Sequence, residues 1–214
     1  MPNSSSVQDD LKALSQGLLG SAGTTVLSGD VLEVRHVAAP VLNAGLLHHT
    51  GRGFSQVLSL NQGREPGPGQ QVVCDTASLP FPDGVFHKVL LHHVISGGME
   101  KELAEAIRVL ARDGILLIMG LNRLGWRFRS QGRLRRLPGI APLKVKSQLV
   151  RLDMAMQGFA GAGLLGMKRP KLMSSGVSGL GSPVADLVLL QARHRDEAEM
   201  TPLSRSGVVQ SASL

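Results

Sequence analysis

Two adjacent histidines are the residues of this chain best suited to acid–base chemistry near neutral pH. His92 and His93 follow an apolar run, Val85 to Leu91, that is dense in branched and aromatic residues. An imidazole takes up or releases a proton in this pH range, so either ring could act as a base in a cleft. Neighbouring residues of a strand point to opposite faces, so the pair predicts no metal site. A buried, hydrogen-bonded histidine is the structural alternative for each.

The order of apolar runs around the histidines predicts the sheet that positions them. Val72 to Cys74 is one run, a proline-containing turn follows, and Val85 to Leu91 is the second. Met99 to Leu110 has apolar residues at helical spacing, and Ile115 to Leu121 is apolar enough for a strand covered on both faces. This order builds a parallel sheet, because parallel neighbours need a helical crossover. The histidines then lie at the strand end where open parallel sheets bind ligands.

Two stretches resemble a known family. Asp75 to Phe86 reads Asp-Thr-Ala-Ser-Leu-Pro-Phe-Pro-Asp-Gly-Val-Phe, and Arg108 to Gly114 reads Arg-Val-Leu-Ala-Arg-Asp-Gly. They resemble the middle of class I S-adenosylmethionine-dependent methyltransferases of the type 11 group, which have Leu-Pro-Phe, Asp-Gly-Phe-Asp and Arg-Val-Leu-Lys-Pro-Gly-Gly there. The chain differs at His87, where the family usually has Asp, and at Arg112-Asp113, where it usually has Pro-Gly. Leu121 to Arg129 also resembles a segment of a bacterial subgroup whose first glycine motif is weak.

The resemblance implies a fold, a cofactor and a reaction. The fold would be α/β, a three-layer α/β/α Rossmann-like methyltransferase fold with a mainly parallel seven-stranded sheet and an antiparallel last strand. The cofactor would be S-adenosylmethionine, bound across the carboxyl ends of the first, second and fourth strands. The reaction would be in-line displacement at the sulfonium carbon, in which most of the catalysis comes from positioning the acceptor.

The resemblance also assigns residues to cofactor binding. They are Glu33, Arg35, Asn61, Asp75, Thr76 and His92. Glu33 falls on the acidic position of the first motif, and Asn61 stands where the family has an acid for the ribose hydroxyls, although it could simply start a turn. Asp75 falls at the adenine edge, or it could cap the turn into Leu79. His92 is placed facing the cleft and is the candidate catalytic base.

The glycines of the family's first motif are missing. Where the family has Glu-x-Gly-x-Gly-x-Gly, this chain runs from Glu33 to Ala39 without glycine and places Arg35 and Val37 in between. Glycines there let the backbone approach the cofactor and turn tightly into a helix. A wider loop could still admit the cofactor, whose methionine end carries no pyrophosphate. A domain that has lost binding is the alternative.

The rest of the chain is divided into one domain and two flanking segments. Residues 1–25 are predicted to be an N-terminal helix and linker, 26–193 the methyltransferase-like domain, and 194–214 a disordered tail. Val31 to Val34 and Phe54 to Leu60 predict the first two strands. Late in the chain, Leu143 to Gln157 predicts a helix, Leu164 to Met173 the sixth strand, and Ala185 to Ala192 the seventh.

Composition limits the setting of the protein. The 214 residues are enough for the core of one ordinary domain, and the formal net charge of +7 favours association with polyanions. The single cysteine excludes an internal disulfide and predicts a reduced, cytoplasmic environment. No stretch approaches the roughly 20 apolar residues of a membrane span. The polar, acidic start does not read as a secretory signal.

A basic segment follows the fifth predicted strand. It runs from Arg123 to Arg151 and contains no acidic residue before Asp153. Because Trp126 and Phe128 are interleaved with the arginines, nucleic acid or another polyanion could bind through Arg123–Arg136. The resemblance instead places a lid and acceptor pocket here, and a solvated face is the third interpretation.

The sequence thus predicts a methyltransferase that uses S-adenosylmethionine and acts on an unidentified small-molecule acceptor. The alternative is a non-catalytic methyltransferase-like protein that serves as an interaction or polyanion-binding module. Arg35, Val37 and Asn61 favour that alternative, because they stand where the family has glycines and an acid.

Overall fold

The computed structural model describes residues 4–21, 31–36, 38–40, 55–59, 71–95, 99–125, 134, 137–163 and 185–195. The helices of this part are α1 (Ser4–Ser21), α2 (Glu100–Val109) and α3 (Pro142–Arg151). The strands are β1 (Val31–His36), β2 (Ser55–Ser59), β3 (Gln71–Cys74), β4 (Phe86–His92), β5 (Leu110–Asn122), β6 (Gly139–Ile140), β7 (Met154–Ala162) and β8 (Leu187–His194).

The strands form one mixed sheet in the order β3-β2-β1-β4-β5-β8-β7, and β6 pairs with the end of β5. In the described chain the pairs β3–β2, β2–β1, β1–β4, β4–β5 and β5–β6 are parallel. Strand β8 runs antiparallel to both β5 and β7. The predicted parallel neighbours β4 and β5, joined through the helix at Met99 to Leu110, are confirmed. The sheet has eight strands and not the predicted seven, because it includes the two-residue strand β6.

Apolar side chains cover both faces of this sheet. On one face, α2 and α3 contribute Leu103, Ala106, Val109, Val145 and Leu149 to a core that includes Leu116 and Ile118 of β5. On the other face, α1 contributes Leu11, Leu14, Leu18 and Leu19 to a second core with Leu117 and Met119. Alternate residues of β5 therefore enter opposite cores, which explains why its sequence is apolar throughout and not alternating.

The loop between β3 and β4 is held against α2 by Arg108. Its guanidinium donates to the carbonyl oxygens of Leu79 (3.1 Å) and Phe81 (2.9 Å), to the Asp83 carboxylate, and to both oxygens of Glu105 (2.7 and 2.9 Å). Glu105 in turn accepts from the Leu79 amide at 2.7 Å. These five residues are called the Arg108 cluster below. It explains structurally why the two stretches that carry the family resemblance occur together.

The last third of the chain differs from the prediction. The helix α3 ends at Arg151, and Asp153 adopts a left-handed backbone conformation with φ 57°, after which β7 starts at Met154. The predicted helix from Leu143 to Gln157 is therefore too long, and Gly158 and Phe159 lie inside β7. Here the helix gives way to a strand at one residue in the left-handed conformation, and the spacing of apolar residues in the sequence does not indicate that change. The predicted strand at 164–173 lies outside the described residues.

Other bounds shift by a few residues or cannot be compared. β1 continues past Val34 to His36, and α1 spans Ser4–Ser21 within the predicted N-terminal helix and linker. β8 extends to His194, and residues 196–214 lie outside the described part. None of the helices described is both long enough and apolar enough to cross a membrane.

Candidate functional site at the carboxyl edge of the sheet

Strand register brings the predicted site residues to one edge of the sheet. His36 of β1 pairs with Ser59 of β2, which pairs with Cys74 of β3, and Arg35 pairs with His92 of β4. Because these strands are parallel, their carboxyl ends coincide at this edge. An open α/β sheet binds ligands at such an edge, where the strand order reverses between β1 and β4.

A buried carboxylate–imidazole pair links β1 to β4. Glu33 Oε1 lies 2.9 Å from His92 Nδ1, and both side chains are fully buried. With Nδ1–H donating to the carboxylate, the lone pair of a neutral His92 ring lies on Nε2. That Nε2 atom is buried and has no hydrogen-bond partner within the described structure. Buried polar atoms are nearly always paired, so an unpaired one at a ligand-binding edge is a candidate contact for a ligand.

His93 lies beside His92, contrary to the prediction that the two rings would point to opposite faces. The strand ends at His92, and His93 has a left-handed backbone with φ 55° while its amide donates to Met119 O at 2.8 Å. The ring centroids are 4.9 Å apart. Burial of the ring, with smaller contributions from His92 and His36, lowers the pKa of His93 well below its usual range. His93 is therefore a neutral ring at physiological pH.

Arg35 occupies the position where a glycine was expected. Strand β1 continues through Arg35 to His36, and the chain then turns with the Ala39 amide donating to His36 O at 2.9 Å. Arg35 is buried, and its Nε atom has no hydrogen-bond partner in the described part of the chain. Burial lowers the pKa of Arg35, and the charge of Glu33 opposes this shift. A buried guanidinium next to an occupied carboxylate can accommodate a further anion.

His36 completes this group of ionisable side chains. Its Nδ1 accepts from the Ala38 amide at 3.2 Å, and partial burial lowers the pKa of its ring. We refer to Glu33, Arg35, His36, His92 and His93 as the edge cluster. No group of His, Cys, Asp or Glu with a metal-binding arrangement is present among the described residues.

Asp75 and Thr76 follow β3 at the same edge. The Asp75 side chain is exposed and its Oδ1 accepts from the Ala77 amide at 3.0 Å, so it closes the turn that leads to Leu79. Thr76 is half-buried. The preceding thiol is unreactive at neutral pH, because burial and the charges of Asp75 and Glu105 raise the pKa of Cys74 to about 11.

The other half of the edge contains a buried acid that the sequence did not single out. Asp186 precedes β8, donates its amide to Ala162 O at 3.0 Å, and accepts from the Asn122 amide at 2.9 Å through its carbonyl. A Cβ atom on Gly163 (φ 74°) or on Gly125 would lie 3.0 Å from a carboxylate oxygen of Asp186. Because glycine has no Cβ atom, Gly125 and Gly163 leave space for the Asp186 carboxylate. A lone acid near the start of the last apolar run, Ala185 to Ala192, was the available signal.

The structure thus brings together Glu33, Arg35 and His92, with Asp75 and Thr76 at the end of β3. Asn61 and Val37 lie outside the described residues. Of the basic segment up to Arg136, the structure describes Arg123, Leu124, Gly125 and Leu134. The Glu33–His92 pair and His36 were not predicted, because both depend on the register between strands that are far apart in the sequence.

Comparison with known proteins identifies the fold. No protein-family model matches the sequence, and no curated protein does. Solved structures do match. A possible histamine N-methyltransferase from Thermotoga maritima, described as S-adenosylmethionine-dependent, superposes with a TM-score of 0.60 at 10% identity, covering 87% of this chain and 90% of that one.

Two further solved structures have a similar fold. A putative methyltransferase in complex with the Trm112 methyltransferase activator from Haloferax volcanii has a TM-score of 0.58 at 11% identity, with coverage of 88% and 91%. The YcgJ protein of Bacillus subtilis has a TM-score of 0.53 at 15% identity, with coverage of 84% and 98%. At these identities the likeness establishes the fold. The chain has the Rossmann-like fold of S-adenosylmethionine-dependent methyltransferases, as its sequence predicted.

Proposed function

We propose that the protein is an S-adenosylmethionine-dependent methyltransferase that acts on a small-molecule acceptor. The observation that carries the proposal is the edge cluster, which places buried, incompletely paired ionisable groups at the ligand-binding edge of a methyltransferase fold. A fold by itself does not imply an activity, so the argument rests on whether these side chains suit the cofactor.

The side chains present do suit it. Arg35 can bind the methionine carboxylate, because a guanidinium offers paired donors in the geometry of a carboxylate. Asp75 can accept from the exocyclic amine of adenine, and Thr76 lies beside it. Glu33 and His92 lie next to Arg35, with His92 on β4, the neighbour of β1 on the side away from Asp75. Asn61 is proposed for the ribose. In this arrangement a charged side chain replaces the backbone amides of a glycine loop, which explains how β1 can continue to His36.

When bound, S-adenosylmethionine supplies an electrophilic methyl group on its sulfonium. The protein's part is to position the acceptor and to receive its proton. Glu33 holds the His92 ring through Nδ1 and leaves Nε2 to accept a proton from an acceptor atom that reaches it. The pKa of the neighbouring His93 is lowered by burial, so this ring adds no positive charge beside His92 at neutral pH.

Isothermal titration calorimetry with S-adenosylhomocysteine tests the proposal. The wild type is expected to bind, and Arg35→Ala to weaken binding by about tenfold to a hundredfold, which is the value of one charge-assisted hydrogen bond. Arg112→Ala, at an exposed position on β5, is the matched control and should bind as the wild type does. Absence of heat at millimolar ligand with a folded protein would contradict the proposal and favour a non-catalytic module.

We also propose a cytoplasmic location, which the single, unpaired Cys74 supports, since no disulfide needs an oxidising compartment.

A further inference from the structure

The basic segment from Arg123 to Arg151 also exposes apolar side chains. In the described part of the chain the exposed large apolar residues are Val85 (44%), Leu124 (65%), Leu143 (81%) and Val150 (48%). All but Val85 lie in this segment, which contains no acidic residue. Single exposed apolar residues need no explanation, but several within one basic segment do.

Helix α3 arranges these residues in an ordered way. Its buried side is formed by Val145 and Leu149. With 3.6 residues per turn, Leu143 and Val150 lie within about 20° of each other around the axis, and about 130° from the centre of that buried side. Lys146 lies about 50° to one side of this apolar ridge, and on the other side Ser147 comes first, followed by Arg151 and Lys144 at about 90 to 110°. All six side chains are exposed.

The start of α3 is joined to a second exposed pair. The amide of Arg123 donates to Ile140 O at 3.0 Å, two residues before Pro142 begins the helix. Arg123 and the 65%-exposed Leu124 therefore adjoin the amino end of α3. The combined surface, called the α3 surface here, consists of Arg123, Leu124 and the exposed face of α3. It contains apolar side chains and positive charge only, apart from Ser147.

We propose that the α3 surface docks on an anionic phospholipid bilayer. An apolar ridge flanked by Lys and Arg is the pattern of helices that lie in the membrane interface, with the ridge among the acyl chains and the cations at the headgroups. Nucleic acid fits less well, because Leu and Val offer no stacking faces for bases. The protein binds the bilayer surface without crossing it.

Co-sedimentation with vesicles provides the measurement. The wild type binds vesicles of equal parts phosphatidylcholine and phosphatidylserine in physiological salt and does not bind phosphatidylcholine alone. Lys144→Ala with Lys146→Ala and Arg151→Ala reduces the affinity by about a hundredfold, since each basic residue contributes roughly a fivefold gain at an anionic surface. Leu143→Ser with Val150→Ser reduces it by about tenfold through lost apolar burial.

Matched controls separate the α3 surface from the general basicity of the chain. Lys101→Ala with Arg112→Ala removes exposed charge elsewhere, and Val85→Ser removes exposed apolar surface elsewhere. Both controls retain nearly all vesicle binding, and every variant keeps the wild-type melting temperature and affinity for S-adenosylhomocysteine.

Three results overturn the proposal. The first is an absence of binding to the anionic vesicles in physiological salt. The second is an affinity that Leu143→Ser with Val150→Ser leaves unchanged, because attraction of a basic protein to any anionic surface would then account for the binding. The third is tighter binding to a single-stranded RNA oligonucleotide than to the vesicles, which identifies a polyanion site instead.

Discussion

The Arg108 cluster and the edge cluster both concentrate charge, but they satisfy it differently. In the Arg108 cluster, the guanidinium has two carbonyl and two carboxylate partners, and the pairing raises the pKa of Arg108 and lowers that of Glu105. In the edge cluster, buried nitrogens of Arg35, His92 and His93 have no hydrogen-bond partner within the described residues.

This difference indicates different roles for the two clusters. Complete pairing of the one-third exposed Arg108 fixes a loop and leaves no donor for a ligand. Incomplete pairing in a buried position costs stability, and proteins keep such a cost mainly where it serves binding or catalysis. Buried atoms without a partner also occur at Gln16, Glu102, Gln148 and Arg193, but among the described residues the edge cluster brings several of them together at the carboxyl edge of the sheet.

The largest expected effect tests the buried pair of the edge cluster. Glu33→Ala should lower the free energy of unfolding by about 1 to 3 kcal/mol, because it leaves the buried Nδ1–H of His92 without its acceptor. Urea denaturation measures the loss. Glu33→Leu combined with His92→Phe should be less destabilised than Glu33→Ala, since replacing both partners by apolar groups removes the unpaired polar atoms. A loss below about 1 kcal/mol for Glu33→Ala would show that the pair is not a buried interaction of this kind.

An intermediate effect concerns the pH dependence of stability. The folded-state pKa of His93 lies below the unfolded value of 6.5, so the unfolded chain binds more protons as the pH falls. Stability should be fully present above pH 6.5 and should fall below it, by up to about 1.4 kcal/mol per pH unit for one proton. His36 shifts in the same direction and adds to the slope.

His93→Asn should reduce this slope, because asparagine tolerates the left-handed backbone and does not titrate. His87→Asn, at an exposed position of β4, controls for loss of an imidazole as such. Thermal melts between pH 5 and 8 provide the comparison, and an unchanged slope in His93→Asn would assign the pH dependence to other groups.

The smallest expected effect concerns the Arg108 cluster. Arg108→Ala should destabilise the protein less than Glu33→Ala, because Arg108 is one-third exposed and water can replace part of its pairing. Hydrogen exchange should be faster at the amides of Leu79 and Gly84, which bond to Glu105 and to the Arg108 carbonyl. Binding of S-adenosylhomocysteine should change little. A loss of binding equal to that of Arg35→Ala would remove the distinction between the two clusters.

The candidate site was only partly accessible to sequence reasoning. The positions of Asp75 and His92 at strand ends could be predicted, because an apolar run that stops at a polar residue marks such an end. The contact between Glu33 and His92 could not be, since 59 residues separate them. Neither could the neighbouring position of the His93 ring, which depends on one left-handed residue after β4.

The sequence alone determined the α/β architecture, because the spacing of apolar residues records which strands are buried on both faces and which helix face packs on them. It determined the order of β4, α2 and β5 for the same reason. The tertiary structure decided which polar groups meet, since register between strands places Arg35 beside His92 and leaves both incompletely paired. It also decided that β7 starts at Met154, because the pairing of β7 with β8 and the turn at Asp153 depend on contacts that local apolar spacing does not encode.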